Sequence, residues 1–290
     1  MVKGDLNEIT KVLEMDLGIF IPSRGRSHWK VLPVLEELKN KLSLKIPTML
    51  IVPSSEQGAY SKFKDLYNCQ VIGIDAQGIG PVRDEILEMA ESFGFATAIM
   101  FDDDIKFSKR VSYDPIKLSR KEPIDELFEW IQEKVDLGYI HGGVSPRQAN
   151  NYMKDSERLY VRCNNVHWFD VKEVLEKGIK FSTLKVMEDF YMTISLLLKG
   201  YPNVSTYTYA WDQQGSGLEG GCSLYRDLDM QAEAAKELSH RFPRYVHLQY
   251  KSKPTSAHGS VFAEERTDVR IMWKKIQKDV EYGLAEGETL

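Results

Sequence analysis

The chain of 290 residues has only three cysteines. Cys69, Cys163 and Cys222 are widely spaced with no C-x-x-C among them, which excludes a disulfide framework and a cysteine-built zinc site. No segment approaches the roughly 18 apolar residues of a membrane span. The stretch from Met1 to Asp16 carries acids throughout and lacks the apolar heart of a secretory leader. The expectation is a cytoplasmic protein with reduced thiols and no membrane contact. Positive charge is not in excess: the net charge is −5, so any hold on phosphate has to come from a local patch. No G-x-G-x-x-G follows the first apolar run, which disfavours a dinucleotide-dependent dehydrogenase. Low-complexity and heptad tracts are missing too. With 42% hydrophobic and 28% charged residues, what remains is an ordinary globular chain long enough to bury a sizeable core.

Against that background one stretch stands out, Ala98-Ile99-Met100-Phe101-Asp102-Asp103-Asp104-Ile105. A short apolar run without a turn residue reads as a buried strand, and three carboxylates at its end call for positive charge. In an extended chain Asp102 and Asp104 would share a side while Asp103 points away. Hard oxygen ligands in that arrangement suit Mg²⁺ or Mn²⁺, with water and substrate phosphates completing the shell. A solvated acidic turn or a helix cap would have the same residues.

Ahead of the triplet, strands and helices alternate. A short helix at 5–14 is followed by a strand over 17–22 that runs into Ser23-Arg24-Gly25-Arg26. After it come a helix over 29–42, a strand over 47–53, a helix over 56–66, a strand over 70–74 and a helix over 82–93. Such alternation predicts a mostly parallel, doubly wound sheet, whose ligands sit beyond the carboxyl ends of the strands. Pro22, Ser23, Arg24 and Arg26 fall at the first of those ends. Arg83, in the first turn of a helix where a cation opposes the dipole, calls for an anionic or planar partner.

Downstream, 105–121 reads as a cationic loop with six basic residues and one acid, Asp114, followed by a helix over 124–137. Gly142 and Gly143 allow a close backbone approach to a ligand, with His141 or Arg147 in reach of a sugar or phosphate. His141 equally suits a hydrogen-bonded core position. The strip 159–170 combines amide, basic and aromatic groups that could grip a carbohydrate or a base. Glu188 and Asp189 open an apolar helix ending at Gly200, where the dipole favours carboxylates. The glycine-rich loop over 212–222 has the composition of a lid, and a helix over 224–240 follows. Between His240 and Ala263, basic residues and aromatics alternate without an acid, the footprint expected for a nucleic-acid backbone. A last helix is expected over 264–281.

The order strand–Pro22-Ser23-Arg24-Gly25-Arg26, then Gly78-Ile79-Gly80-Pro81-Val82-Arg83 opening a helix, then strand–Asp102-Asp103-Asp104, resembles the nucleotide-binding half of the GT-A glycosyltransferases. That resemblance implies a Rossmann-like, mixed and mostly parallel α/β sheet flanked by helices, with a core over 17–225. An N-terminal extension, 1–16, would precede it, and a C-terminal extension of helices with the basic, aromatic segment, 226–290, would pack on it. It implies a nucleotide-sugar donor, most simply a UDP-sugar, bound by Pro22, Ser23, Arg24, Arg26, Arg83, Asp102, Asp103, Gly142 and Gly143. It further implies Mn²⁺ or Mg²⁺ on Asp102, Asp104 and the late His258, with Asp189 as acceptor base and Glu188 in support. The same features are similar to the TET-associated glycosyltransferases of bacteriophages, which implies 5-hydroxymethylcytosine in phage DNA as acceptor and the host cytoplasm as location. A glycan or polysaccharide-precursor acceptor, a nucleotidyltransferase, and a non-catalytic module binding nucleic acid or sugar are the competing readings.

Overall fold

The computed structural model describes residues 16–213, 227–251, 266–285 and 287. Its first part alternates β1 (Leu17–Pro22), α1 (Pro33–Lys41), β2 (Thr48–Pro53), α2 (Gln57–Tyr60), α3 (Lys62–Tyr67), β3 (Gln70–Ile74), α4 (Ile79–Ser92) and β4 (Thr97–Phe101). The middle holds β5 (Ile105–Tyr113), β6 (Ile116–Ser119), α5 (Asp125–Asp136), β7 (His141–Pro146), α6 (Arg147–Asn150), β8 (Glu157–Leu159) and β9 (Val166–Asp170). It continues with α7 (Val171–Glu176), α8 (Glu188–Leu198) and β10 (Val204–Gln213). Last come α9 (Leu228–Arg241), β11 (Val246–Lys251), β12 (Arg266–Ile271) and α10 (Trp273–Glu281).

One mixed sheet runs β3-β2-β1-β4-β9-β7-β10-β5-β6, with β8 paired to β10. β3, β2, β1 and β4 are parallel neighbours, and β9 enters antiparallel between β4 and β7. Successive residues of a strand face opposite sides, so β1 and β4 feed two cores. Phe20, Met49, Met100 and Ile86 pack on one face with α4, α8, α9 and α10. Ile19, Ile21, Leu50, Ile99 and Phe101 pack on the other with α1, α3 and α5. The C-terminal elements share the first core through Ala235, Leu238, Tyr245 and Ile276, and β11 and β12 form a separate two-stranded antiparallel ribbon.

Some expectations change. The first helix begins at Pro33, four residues later than expected, because proline forces Leu32 into extended backbone and itself suits the first helical turn. The helix expected over 56–66 is a 3₁₀ turn followed by α2 and α3. The cationic loop is instead the β5–β6 hairpin: Ile105 and Phe107 are buried, while the lysines lie on partly or fully exposed positions. The strip 159–170 divides into a loop and β9, and the expected last helix divides into β12 and α10. The helix at 5–14, residues 214–222 of the glycine-rich loop, Cys222 and His258 lie outside the described residues. Among the described residues, no helix is long and apolar enough to cross a membrane.

Candidate active site

The parallel strands β1, β2 and β3 end together, with Pro22 level with Ile51 and Pro53 level with Ile74. Beyond that edge is an open pocket of about 520 Å³. Ile51, Val52, Pro53, Ile74, Ala76 and Ile79 make its walls apolar, and Ser23, Arg24 and Asp103 give it a polar rim. Gly78, at φ +93°, lets the chain turn sharply from β3 into α4 beside this pocket. A flat heterocycle with polar edges suits such a cavity. Among the lining residues, Ile51, Val52, Pro53 and Ile74 have the composition of strand-end core. They carry no motif; only their place at the carboxyl edge signals a binding role.

The acidic triplet lies on the same edge, in a turn. β4 stops at Phe101, and the Asp102 N–H donates to the carbonyl of Asn165 at 2.8 Å. The two-residue alternation expected for an extended chain therefore fails: Asp102 stays partly exposed, Asp104 is buried, and so is Asp103. Its two oxygens accept from Ser23 Oγ and Arg26 Nη1. The same loop is pinned further: the Arg26 N–H donates to Tyr60 Oη at 2.8 Å, the Gly25 N–H to Glu56 at 2.7 Å, and the Arg26 guanidinium lies 4.8 Å from the Trp29 ring centre. Arg26 is thus spent on the acids. Asp102 and Asp104 each have one oxygen engaged: Asp102 Oδ1 by Arg83 at 3.2 Å, and Asp104 Oδ2 by Arg26 at 3.2 Å and Gln213 at 3.4 Å. Desolvation pushes Asp102 up to about 7 and Asp103 to about 6, and raises Asp104, against the opposing pull of Arg83 and Arg26.

Crowded, desolvated carboxylates of this kind have the donor chemistry of a hard divalent cation. Asp102 and Asp104 each retain an oxygen for it, whereas Asp103 does not. Among the described residues no group of three or more His, Cys, Asp and Glu side chains is placed to hold a metal ion. The rest of a metal shell would fall to water and diphosphate oxygens.

The acid pair comes to this edge from α8, after Met187 in a left-handed conformation at φ 63°. Arg83 Nη1 donates to Glu188 at 2.6 Å while its Nη2 reaches Asp102, so one buried guanidinium ties α8 to the end of β4. α4 starts at Ile79, so Arg83 lies beyond the first turn expected for it; its anionic partners are within the protein. Asp189 Oδ2 accepts from Arg162 Nε at 2.6 Å, and Arg162 lies over the Phe190 ring at 3.9 Å. Arg162, Asn165, Gln213 and Tyr60 were not singled out from sequence; each acts through pairing across elements.

The model of the TET-Associated Glycosyltransferase family matches residues 17–221. The chain belongs to this family. It is 23% identical over 208 residues to the beta-glucosyl-HMC-alpha-glucosyl-transferase of Enterobacteria phage T2, covering 68% of this chain and 72% of that one. Among solved structures, S. aureus TarS 1-349 in complex with UDP is similar over 77% of this chain at 13% identity and a TM-score of 0.48. The match spans 65% of that protein's length, less than two thirds. Glucosyl-3-phosphoglycerate synthase from Mycobacterium tuberculosis, solved with Mn²⁺, UDP and phosphoglyceric acid, is similar over 91% of this chain and 92% of its own at 10% identity and a TM-score of 0.48.

In this glycosyltransferase Gly142 and Gly143 do not line the pocket. They lie inside the sheet in β7, where a Cβ on Gly142 would come 2.4 Å from the Val204 carbonyl and 2.5 Å from Trp168, and one on Gly143 2.7 Å from the Val166 carbonyl. Protein atoms already fill the space the two glycines leave. Gly142→Ala is expected to cost about 1–3 kcal/mol by overpacking. A lowered Tm with unchanged UDP affinity of the folded fraction would show it; weakened UDP affinity at full stability would contradict it. His141 is likewise a core residue: its Nε2 lies 3.0 Å from the Tyr201 carbonyl, and burial lowers it to about 4. Trp168 and Phe169 from the aromatic strip are buried in the cores as well. In the 240–263 segment Arg241 pairs with Glu237, Arg244 with Asp279 and Lys251 with Asp268, so its described cations are largely matched by acids from neighbouring turns and strands.

Proposed function

We propose that this glycosyltransferase moves a sugar from a UDP-sugar to a hydroxyl on 5-hydroxymethylcytosine in DNA, with Mn²⁺ or Mg²⁺ held by Asp102 and Asp104. The observation that carries the donor half is the adjacency of the apolar pocket to two carboxylates that each keep an unengaged oxygen. The base would enter between Val52, Ile74, Ala76 and Ile79, and the diphosphate would lie toward the acidic turn. A bound divalent cation there would supply positive charge to the leaving diphosphate. Arg83 fixes Asp102, and Arg26 with Ser23 fixes the turn, so the carboxylates need little reorganisation on binding. Asp189 would take the proton of the acceptor hydroxyl as that oxygen bonds to the anomeric carbon and the bond to the diphosphate breaks. Arg162 holds one oxygen of Asp189 and leaves the other for the acceptor.

The acceptor half is supported by the family and by the phage T2 relative, whose name places its own transfer on glucosylated HMC. The test is incubation with Mn²⁺, a panel of UDP-sugars, and DNA containing either 5-hydroxymethylcytosine or its glucosylated form, followed by digestion and nucleoside mass spectrometry. A hexose or pentose adduct is the expected result. Release of UDP without a DNA adduct would keep the donor reading and overturn the acceptor. The donor pocket has its own check: Ala76→Trp fills the apolar slot and is expected to weaken UDP binding at least about 30-fold by calorimetry, since a blocked pocket loses the whole burial of the base. Unchanged affinity would put the nucleotide elsewhere.

A further inference from the structure

Beside the acidic turn the fold brings two arginines onto one carboxylate and sets a lysine level with it on the neighbouring strand. Antiparallel pairing places Lys106 of β5 level with Asp212 of β10. β7 pairs Pro146 with Trp211, so Arg147, the next residue, arrives next to Asp212 and donates to it at 3.3 Å. Arg120, just past β6, also donates to Asp212. The neighbouring residue Gln213 hydrogen-bonds Asp104. Lys106, Arg120 and Arg147 against Asp212 amount to a local charge of +2 on a chain of −5, one residue from the acids assigned to the donor diphosphate.

Fold stability does not account for this grouping. The side chains of Arg120, Arg147 and Asp212 are 50%, 38% and 32% exposed, and ion pairs that open to water contribute little. Two guanidiniums on a single carboxylate also leave most of their N–H donors available, in the planar fork that suits a phosphate. We propose that Lys106, Arg120 and Arg147 form the subsite for a phosphodiester of the acceptor strand, with Asp212 holding the two arginines in place. This rests on the nucleic-acid acceptor proposed above and adds where its backbone is gripped. The strand is thereby fixed beside the sugar-transfer site by charge, and the reacting hydroxyl is brought in by the nucleotide next to the gripped phosphate. That nucleotide would have to leave any duplex stack to reach the acids.

The test measures binding apart from turnover. A fluorescent single-stranded oligonucleotide containing 5-hydroxymethylcytosine is titrated with the full-length protein across salt concentrations and read by anisotropy. Arg120→Gln/Arg147→Gln is expected to bind at least about 10-fold more weakly. Its plot of log affinity against log salt should be shallower by about 0.7, the share of one phosphate contact on a single strand. Lys64→Gln/Lys278→Gln, which removes the same charge from exposed positions on α3 and α10, should bind like the wild type. Asp212→Asn keeps an amide oxygen for the two arginines, which share Oδ2, and removes the negative charge that competes with the phosphate, so it should tighten binding. In turnover, the arginine double variant should raise the oligonucleotide KM and leave the UDP-sugar KM in place. The subsite is overturned if the wild type does not bind the oligonucleotide, if the arginine variant loses no more than the charge-matched control, or if Asp212→Asn weakens binding. An oligonucleotide that binds through these arginines yet receives no sugar would refute the acceptor reaction and leave the subsite standing.

Discussion

Asp189→Asn is expected to lower kcat for sugar transfer by about 10³-fold while UDP affinity stays within about twofold. General-base assistance is worth roughly 10²–10⁴ in rate, and the amide cannot accept the proton. Asparagine retains a carbonyl oxygen for Arg162 Nε, which holds Asp189 at 2.6 Å, so the start of α8 should keep its position. The nucleotide pocket is formed by β1, β2, β3 and α4 and should not register the change. Glu188→Gln provides the contrast. Glu188 is bound to Arg83, which also holds Asp102, so its loss should appear in UDP affinity and stability as well as in rate. Steady-state kinetics with single-turnover transfer and calorimetric UDP binding separate the two cases. Transfer by Asp189→Asn within a few-fold of wild type would remove Asp189 from the proton-transfer role.

The contrast between those neighbours was only half legible in the sequence. Glu188-Asp189 ahead of an apolar run marks a helix start by the dipole alone, and the structure puts that start where the run begins. That Glu188 pairs with a guanidinium 105 residues away, and Asp189 with one 27 residues away, is a property of the sheet order, which no local pattern contains. The parallel strands were legible for a simple reason: buried on both faces, they are continuous apolar runs bounded by turns. The β5–β6 hairpin was harder to see. Its buried residues Ile105 and Phe107 flank the half-exposed Lys106, and the density of charge masked the short period of two. The glycine pair of β7 misled in the opposite way. Small residues mark close approach, but sequence does not say to what, and here the approaching group is Trp168. The apolar pocket wall was hidden because the last residues of β2 and β3 have the composition of the core they leave. Their function comes from lying one step beyond it.

Asp104→Asn and Asp103→Asn should part company, although the two residues are adjacent and both buried. Asp103 spends both oxygens inside the protein, on Ser23 and Arg26. The amide can still give its oxygen to Arg26 and its NH₂ to Ser23 Oγ, but the charge that answers the buried guanidinium is gone. The expected result is a loss of about 2–4 kcal/mol and a correspondingly lower Tm, as for other buried ion pairs with one partner removed. Asp104 has one oxygen on Arg26 and Gln213 and none of the loop-pinning contacts to Ser23 or Tyr60, so Asp104→Asn should fold with a smaller change in Tm. Its effect belongs to the donor. Wild-type protein is expected to bind UDP at least about 10-fold more tightly with Mn²⁺ than with EDTA, as a cation shared between protein and diphosphate requires. Asp104→Asn should lose that difference, and transfer with it, while keeping the affinity measured in EDTA, which comes from base burial. Calorimetry in both buffers beside thermal melts would decide it. Equal Mn²⁺ dependence in Asp104→Asn and wild type would take Asp104 out of the metal shell, because the apolar pocket alone gives UDP no reason to respond to a cation.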